Sequence, residues 1–268
     1  MKKRNVFIGA ILSLMSIGQP LIIKSGVVLS TTGLMLAFPQ KVNAKSADKY
    51  FDIAYEMGNT GNYKGAIKNY TKVIELEPDN YIAYMNRGWN KANLGDDYAA
   101  ISDYNKSIEI NSNYALAYSN RGWSKKAIKD YQGAISDYDN AIKIDPKNAK
   151  LYLNRGLTKS YSGDDYAAIS DYNKAIKIDP EYSIAYYNRA WSKEVIEDLK
   201  GSIADYTKAI KYNPKYFLAY INRGNIKNDM GDERAACKDY KKSISLGDTE
   251  TANWLTKDSA KWCREMKF

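Results

Sequence analysis

One tripeptide constrains the fold of this chain more than any other feature, because it returns at a constant interval. Asn86-Arg87-Gly88 recurs as Asn120-Arg121-Gly122, Asn154-Arg155-Gly156 and Asn222-Arg223-Gly224, and Asn188-Arg189-Ala190 differs by one residue. Each copy begins 34 residues after the last, a tyrosine stands two residues ahead of each, and an Asp-Tyr follows 17 residues after each Asn. Self-similarity at such a period means a stack of small units, each burying its apolar face against its neighbours, and not a single globular core.

Within a unit the apolar spacing is helical twice over. Tyr84, Gly88 and Leu94 lie on one such pattern, and Ala100, Ile101, Tyr104 and Ile108 recur at i, i+1, i+4 and i+8 on a second. Gly95 between them can end the first helix in a left-handed conformation, and Asp96 can cap the next. Pro78, Pro146, Pro180 and Pro214 close four of the second helices. The chain therefore divides into helix–turn–helix units at 47–80, 81–114, 115–148, 149–182, 183–216 and 217–250, followed by a segment 251–268. The first unit is divergent, with Asp52-Ile53-Ala54 in place of the tripeptide. In the last segment Leu255, Trp262 and Met266 share one helical face and can cover the open end of the stack. Residues 95–106 are identical to 163–174, and the third and fifth units carry Lys129 and Glu197 where others have the turn glycine. Both facts point to duplication of a two-unit block.

The pattern Tyr-x-Asn-Arg-Gly-Trp, Leu-Gly-Asp, Ala-Ile-x-Asp-Tyr-x-Lys-Ala-Ile, then Asp-Pro resembles the tetratricopeptide repeat (TPR) over residues 47–250, with no insertion between units. The pentatricopeptide RNA readers have a different residue pattern and fit poorly. The resemblance implies an all-α, right-handed superhelical solenoid of six TPR units with a C-terminal capping helix. It further implies that the first helices line a concave groove that binds a peptide or protein.

Composition narrows the chemistry. The chain has no histidine, which removes the commonest general base and zinc ligand, and its two cysteines cannot make a four-thiolate site. No phosphate-binding glycine loop is present, and the acid pairs Asp96-Asp97 and Asp164-Asp165 stand at helix starts, where they favour the dipole. No catalysis, metal or cofactor is expected. The net charge of +9 includes five cations and no acid within residues 1–44, leaving +4 among interspersed charges in 45–268. That is no polyanion footprint, so nucleic acid is not an expected partner.

Residues 1–44 form a separate region. Met1-Lys2-Lys3-Arg4 precedes apolar runs at 6–23 and 26–38, and Val42-Asn43-Ala44 offers a cleavage site. This layout reads as a secretory signal peptide, or as an uncleaved membrane anchor spanning residues 6–23. Either reading places the repeats outside the cytoplasm, secreted or in the periplasm or cell envelope, or tethered to a membrane by this segment alone. The leader contains no cysteine for lipid attachment.

Several rows of side chains are candidates for function. Asn86, Asn120, Asn154, Asn188 and Asn222 form a ladder that can pair with a ligand backbone or bond the neighbouring helix. Beside it, Met85 with Trp89, Ser119 with Trp123, Leu153 with Leu157 and Tyr187 with Trp191 share a face at i, i+4. These either anchor a partner or pack against the next unit; Trp89, Trp123, Leu157, Tyr187 and Trp191 join the Asn ladder as the expected groove. Arg87, Arg121, Arg155, Arg189 and Arg223 each precede an acid by 16 residues (Asp103, Asp137, Asp171, Asp205, Asp239), and the first unit loses both charges together, with Ile53 and Asn69. This co-loss predicts an internal ion pair in each hairpin. Lys91, Lys125, Lys159, Lys193 and Lys227 recur as a solvated face or a basic edge. Cys237 occupies an isoleucine column, and a Cys237–Cys263 disulfide would staple the cap of an exported chain. The chain thus reads as a non-catalytic scaffold that binds a protein in its groove. The alternatives are an assembly factor acting through its convex face or ends and, more remotely, a nucleic-acid reader.

Overall fold

A computed structural model describes residues 37–267. The expected leader lies outside the described residues as far as residue 36. All elements among the described residues are helices, and none is long and apolar enough to cross a membrane. The chain forms two compact units that meet between Ile128 and Lys129, inside the third repeat. The first unit contains α1 (Ala37–Asn59), α2 (Tyr63–Leu76), α3 (Tyr81–Asn93), α4 (Asp97–Ile110) and α5 (Ala115–Ala127). The second contains α6 (Tyr131–Ile144), α7 (Ala149–Tyr161), α8 (Asp165–Ile178), α9 (Ser183–Val195), α10 (Leu199–Tyr212), α11 (Phe217–Asp229) and α12 (Glu233–Ser245). Two short helices complete it, α13 (Thr249–Leu255) and α14 (Lys261–Arg264), with a 3-10 turn at Asp258–Ala260 between them. Within each unit, odd and even helices pair as hairpins and each even helix packs on the next odd one.

Local chemistry sets the helix ends. Asn62, Asp96, Asp130, Asp164, Asp198 and Asp232 each accept a backbone N–H from the first turn of the even helix they precede. The residue before each cap is left-handed. Gly61, Gly95, Gly163 and Gly231 take φ of 82–90°, and Lys129 and Glu197 are held at φ 65° in the repeats that lack glycine. There the stack imposes a conformation that costs an L-residue about 1–2 kcal/mol.

Three hairpins close on a glycine. A Cβ on Gly88 would lie 2.8 Å from the Tyr104 ring, and the same contact recurs between Gly156 and Tyr172 and between Gly224 and Tyr240. The second-helix tyrosines Tyr70, Tyr104, Tyr138, Tyr172 and Tyr206 are fully covered, sharing the core with Ala66, Ala100, Ala134 and Ala168. Burial pushes all five phenols above the ordinary tyrosine value of 10.0.

A polar rung crosses every later hairpin whose two helices fall in one unit. Arg87, Arg155, Arg189 and Arg223 each grip the acid 16 residues on with two N–H groups, Nε at 2.8–2.9 Å and Nη2 at 2.5–2.8 Å. Asp103, Asp171, Asp205 and Asp239 are buried, and each also meets a lysine (Lys91, Lys159, Lys193, Lys227) at 2.7–2.8 Å. These four members of the lysine row are therefore ion-paired, and are not a free basic edge. The remaining Nη1 reaches back to the preceding even helix, to Thr71, Asp139, Asn173 and Thr207. Each guanidinium also lies 5.3–5.6 Å from the ring of the tyrosine three residues before it. Arg121 has the same reach, to Asn105 and over Tyr118; its expected partner Asp137 belongs to the second unit. In the first hairpin Asn69 instead donates to the Gly65 carbonyl.

The capping segment is not one continuous helix. Lys257 is extended, with φ −80° and ψ 155°, and this break turns the chain so that α14 returns to α12. Trp254 packs edge-on against Tyr240 and Trp262 against Trp254. Arg264 donates to the carbonyls of Leu255 and Thr256, closing the end of α13. Cys237 and Cys263, both buried, form a disulfide with Cα atoms 5.3 Å apart, tying α12 to α14.

Three measurements check this account. Asp205→Ala leaves Arg189 and Lys193 facing each other without their counter-charge and should cost about 3–5 kcal/mol in urea unfolding; a loss under about 1 kcal/mol would show that the rung is not load-sharing. Glu197→Gly removes the left-handed penalty and should raise stability by about 1 kcal/mol in the same assay. Finally, the buried phenols ionise near 10.0 in the unfolded chain and above it in the fold. Their stabilisation is complete below that value and is lost as pH rises beyond it. The part of the tyrosinate absorbance that comes from these five buried phenols should therefore appear together with loss of helical circular dichroism, not ahead of it.

Candidate functional site

The asparagine ladder lies inside the packing. Asn86, Asn120, Asn154 and Asn188 are 1%, 5%, 5% and 9% exposed. The cause is geometric: the first helix of a hairpin is flanked by the hairpin before it, and Asn86, Asn120 and Asn222 face residues of that hairpin. Asn222, half-buried, donates to the hydroxyls of Tyr187 at 2.9 Å and Tyr206 at 3.3 Å, both on the hairpin before it. Asn120 reaches Met85 Sδ at 3.5 Å. Asn188 donates to the Ile184 carbonyl within its own helix. Asn86 lies beside the Tyr70 hydroxyl and favours its ionised form, yet neither amide atom makes a well-formed hydrogen bond. Asn120 and Asn222 thus stitch one hairpin to the one before it, while Asn188 bonds within its own helix.

Tyr187, read from the sequence as part of a groove wall, is a core residue. It is 2% exposed, stacks on Tyr216 with centroids 4.7 Å apart and meets the Tyr206 ring at 5.5 Å. Met85 and Leu153, one turn before Trp89 and Leu157, are equally buried. The apolar stripe of each first helix is thus core in its N-terminal half.

Toward its C-terminal half the same stripe emerges. Trp89, Trp123, Leu157 and Trp191 are half-buried. In the first unit the Trp89 ring takes the edge of Tyr63 at 5.9 Å, and its indole N–H is buried without a hydrogen-bond partner. The Lys126 amine sits 3.7 Å from the centre of the Trp123 ring, and burial pushes that amine down to about 8. In the second unit Tyr161 and Val195, one turn beyond Leu157 and Trp191, are 58% and 53% exposed. Leu157 and Tyr161 on α7, with Trp191 and Val195 on α9, therefore form an apolar surface on two first helices that touch. The stripe ends at Asn225, whose carbonyl accepts from the Tyr240 hydroxyl at 3.0 Å. Tyr161 and Val195 escaped the sequence reading, which paired each stripe residue with the one four positions before it; the i+4 spacing was the available signal.

A cavity of about 460 Å³ opens elsewhere in the second unit, where Asn148 and Lys150 face Asp179 and Tyr182. Burial lowers the Lys150 amine from its ordinary value. No group of three acidic or cysteine side chains placed to hold a metal occurs among the described residues.

Comparison with known proteins places this arrangement. A "Tetratricopeptide repeat" family model matches residues 47–80, 81–114, 149–182, 184–216 and 218–246, and a "TPR repeat" model matches 125–159. No curated protein matches significantly. Among solved structures, a MamA protein is similar at 26% identity and a TM-score of 0.58, over 64% of this chain and 94% of that one. YrrB, described as a TPR protein with an unusual peptide-binding site, is similar at 19% identity and a TM-score of 0.55, over 70% and 97% of the two chains. The Pseudomonas aeruginosa protein pilF shares the fold at 15% identity and a TM-score of 0.67, over 80% of this chain and 99% of that one. With its family models covering well over half of the sequence and its helices paired as successive hairpins, this chain belongs to the tetratricopeptide repeat family.

Proposed function

We propose that this TPR protein is a non-catalytic scaffold that holds a peptide or protein segment on the faces of its first helices, outside the cytoplasm or at a membrane. The observation that carries the reading is the emergence of the apolar stripe in the C-terminal halves of those helices. Leu157 and Trp191 are half-buried and Tyr161 and Val195, one turn on, are exposed, so the stripe presents aromatic and aliphatic surface there. Half-buried tryptophans are effective anchors, since their rings are already ordered and bury large area against a partner. In the first unit Trp89 and Trp123 occupy the same repeat position. The partner implied is a segment with spaced apolar side chains. Likeness of fold to YrrB, described as having a peptide-binding site, lends this class of activity support. Export rests on the basic and apolar leader and on a buried disulfide, a bond that persists in oxidising compartments.

A peptide array probed with the full chain tests this. Bound sequences should be enriched in aromatic and aliphatic residues, and Leu157→Ala with Trp191→Ala should weaken them by about tenfold or more while leaving the melting curve in place. Asn154→Ala and Asn222→Ala should instead lower stability and leave peptide affinity unchanged. Peptide binding that survives the loss of Leu157 and Trp191 but not of the asparagines would overturn the assignment.

A further inference from the structure

The two units differ at one repeat column in a way the fold does not require. Glu75 and Glu109 end the second helices of the first unit, and each pairs at 2.7 Å with a lysine one turn earlier, Lys72 and Lys106. At the same column the second unit carries Lys143, Lys177 and Lys211, all exposed. Lys174 and Lys208 stand one turn before the last two, so each acid–base pair of the first unit becomes a like-charged pair. Like charges at this spacing repel along a helix. The helix dipole favours cations at a C-terminal end, but the ends of α2 and α4 have the same dipole and carry Glu. Stability therefore does not select these lysines.

No acid among the described residues pairs with them. Lys143, Lys174, Lys177 and Lys208 make no ion pair among the described residues, and Lys211 lies 5.4 Å from the ring centre of its neighbour Tyr212. The cavity described above opens beside this row, with Lys147 and Lys150 on its wall and the ends of α6 and α8 on either side. Its two carboxylates are engaged locally: Asp145 accepts from the Asn148 amide at 3.0 Å and Asp179 from the Glu181 backbone N–H at 3.1 Å.

We propose that the C-terminal ends of α6, α8 and α10 form a docking surface for an acidic protein segment, separate from the apolar face of the first helices. Charge complementarity selects the occupant. A row of lysines, one step per repeat, suits carboxylates spaced along an extended chain. Asp145 and Asp179 among the lysines oppose a dense polyphosphate, and no arginine is present to grip phosphate with two N–H groups. Peptide amides can donate to those same carboxylates, which phosphate oxygens cannot.

The test uses the full chain and four probes: a fluorescein-labelled alternating Glu–Gly peptide, a Gln–Gly peptide, duplex DNA, and phosphatidylglycerol vesicles. The Glu–Gly peptide should bind, more weakly as salt is added, and the Gln–Gly peptide should not. Lys143→Glu, Lys177→Glu and Lys211→Glu together restore the residue the first unit carries there, so the variant should fold, and it should weaken Glu–Gly binding by about tenfold or more. The neutral Lys→Gln variant at the same three positions should fall between it and the wild type, and serves alone if the reversed variant does not fold. Trp191→Ala should leave this binding unchanged, which separates the surface from the first-helix face. Equal affinity for the two peptides, retention of binding by both lysine variants, or tighter binding of DNA or vesicles than of the Glu–Gly peptide would overturn the proposal.

Discussion

One buried carboxylate in each of four hairpins, held by an arginine and a lysine from the facing helix, is the interaction on which the stack depends. Asp103, Asp171, Asp205 and Asp239 are each 3–4% exposed, and water could not satisfy them there. Burying charge is costly, so such a rung is weak evidence for net stability on its own. Its value is in register. The guanidinium grips the acid with two parallel N–H groups, stacks near the tyrosine three residues back, and spends its last nitrogen on the preceding even helix. Three helices are therefore aligned through one planar group, which a lysine in its place could not do.

The same geometry decides which side chains remain for a partner. The N-terminal half of a first helix lies against its neighbours: Asn86 beside Tyr70 of the hairpin before it, and Tyr187 against Tyr206 of its own hairpin and Tyr216 beyond it. Beyond Gly156 on α7 and Ala190 on α9 the stripe emerges, with Leu157 and Trp191 half-buried and Tyr161 and Val195 exposed. One stripe in sequence is thus divided by position along the helix into a packed half and a surface half.

Variation among the repeats falls where packing is indifferent. The tyrosine, alanine and aspartate columns of the second helices barely change, while the helix-end column switches from glutamate to lysine between the units. The left-handed turn tolerates Lys129 and Glu197 at a local cost because caps and core on both sides hold it in place. After the sixth hairpin, two short helices pack on α12 through a disulfide and the rings of Tyr240, Trp254 and Trp262.

The sequence by itself determined the period, the hairpins, their turns and the acids that Arg87, Arg155, Arg189 and Arg223 grip. Those properties follow from local chemistry and from charges that come and go together, as at Ile53 and Asn69. It could not determine which residues of a helical face are covered. The 3.6-residue period sets the angle between side chains on one helix, but not the angle at which a neighbouring helix lies across it. Asn86 and Trp89 are one turn apart, and only the placement of the preceding helix leaves the first buried and the second at the surface. For the same reason the break at Lys257 was invisible in an amphipathic pattern. That pattern is compatible with a straight helix, and only the need to return Trp262 and Cys263 to α12 bends it.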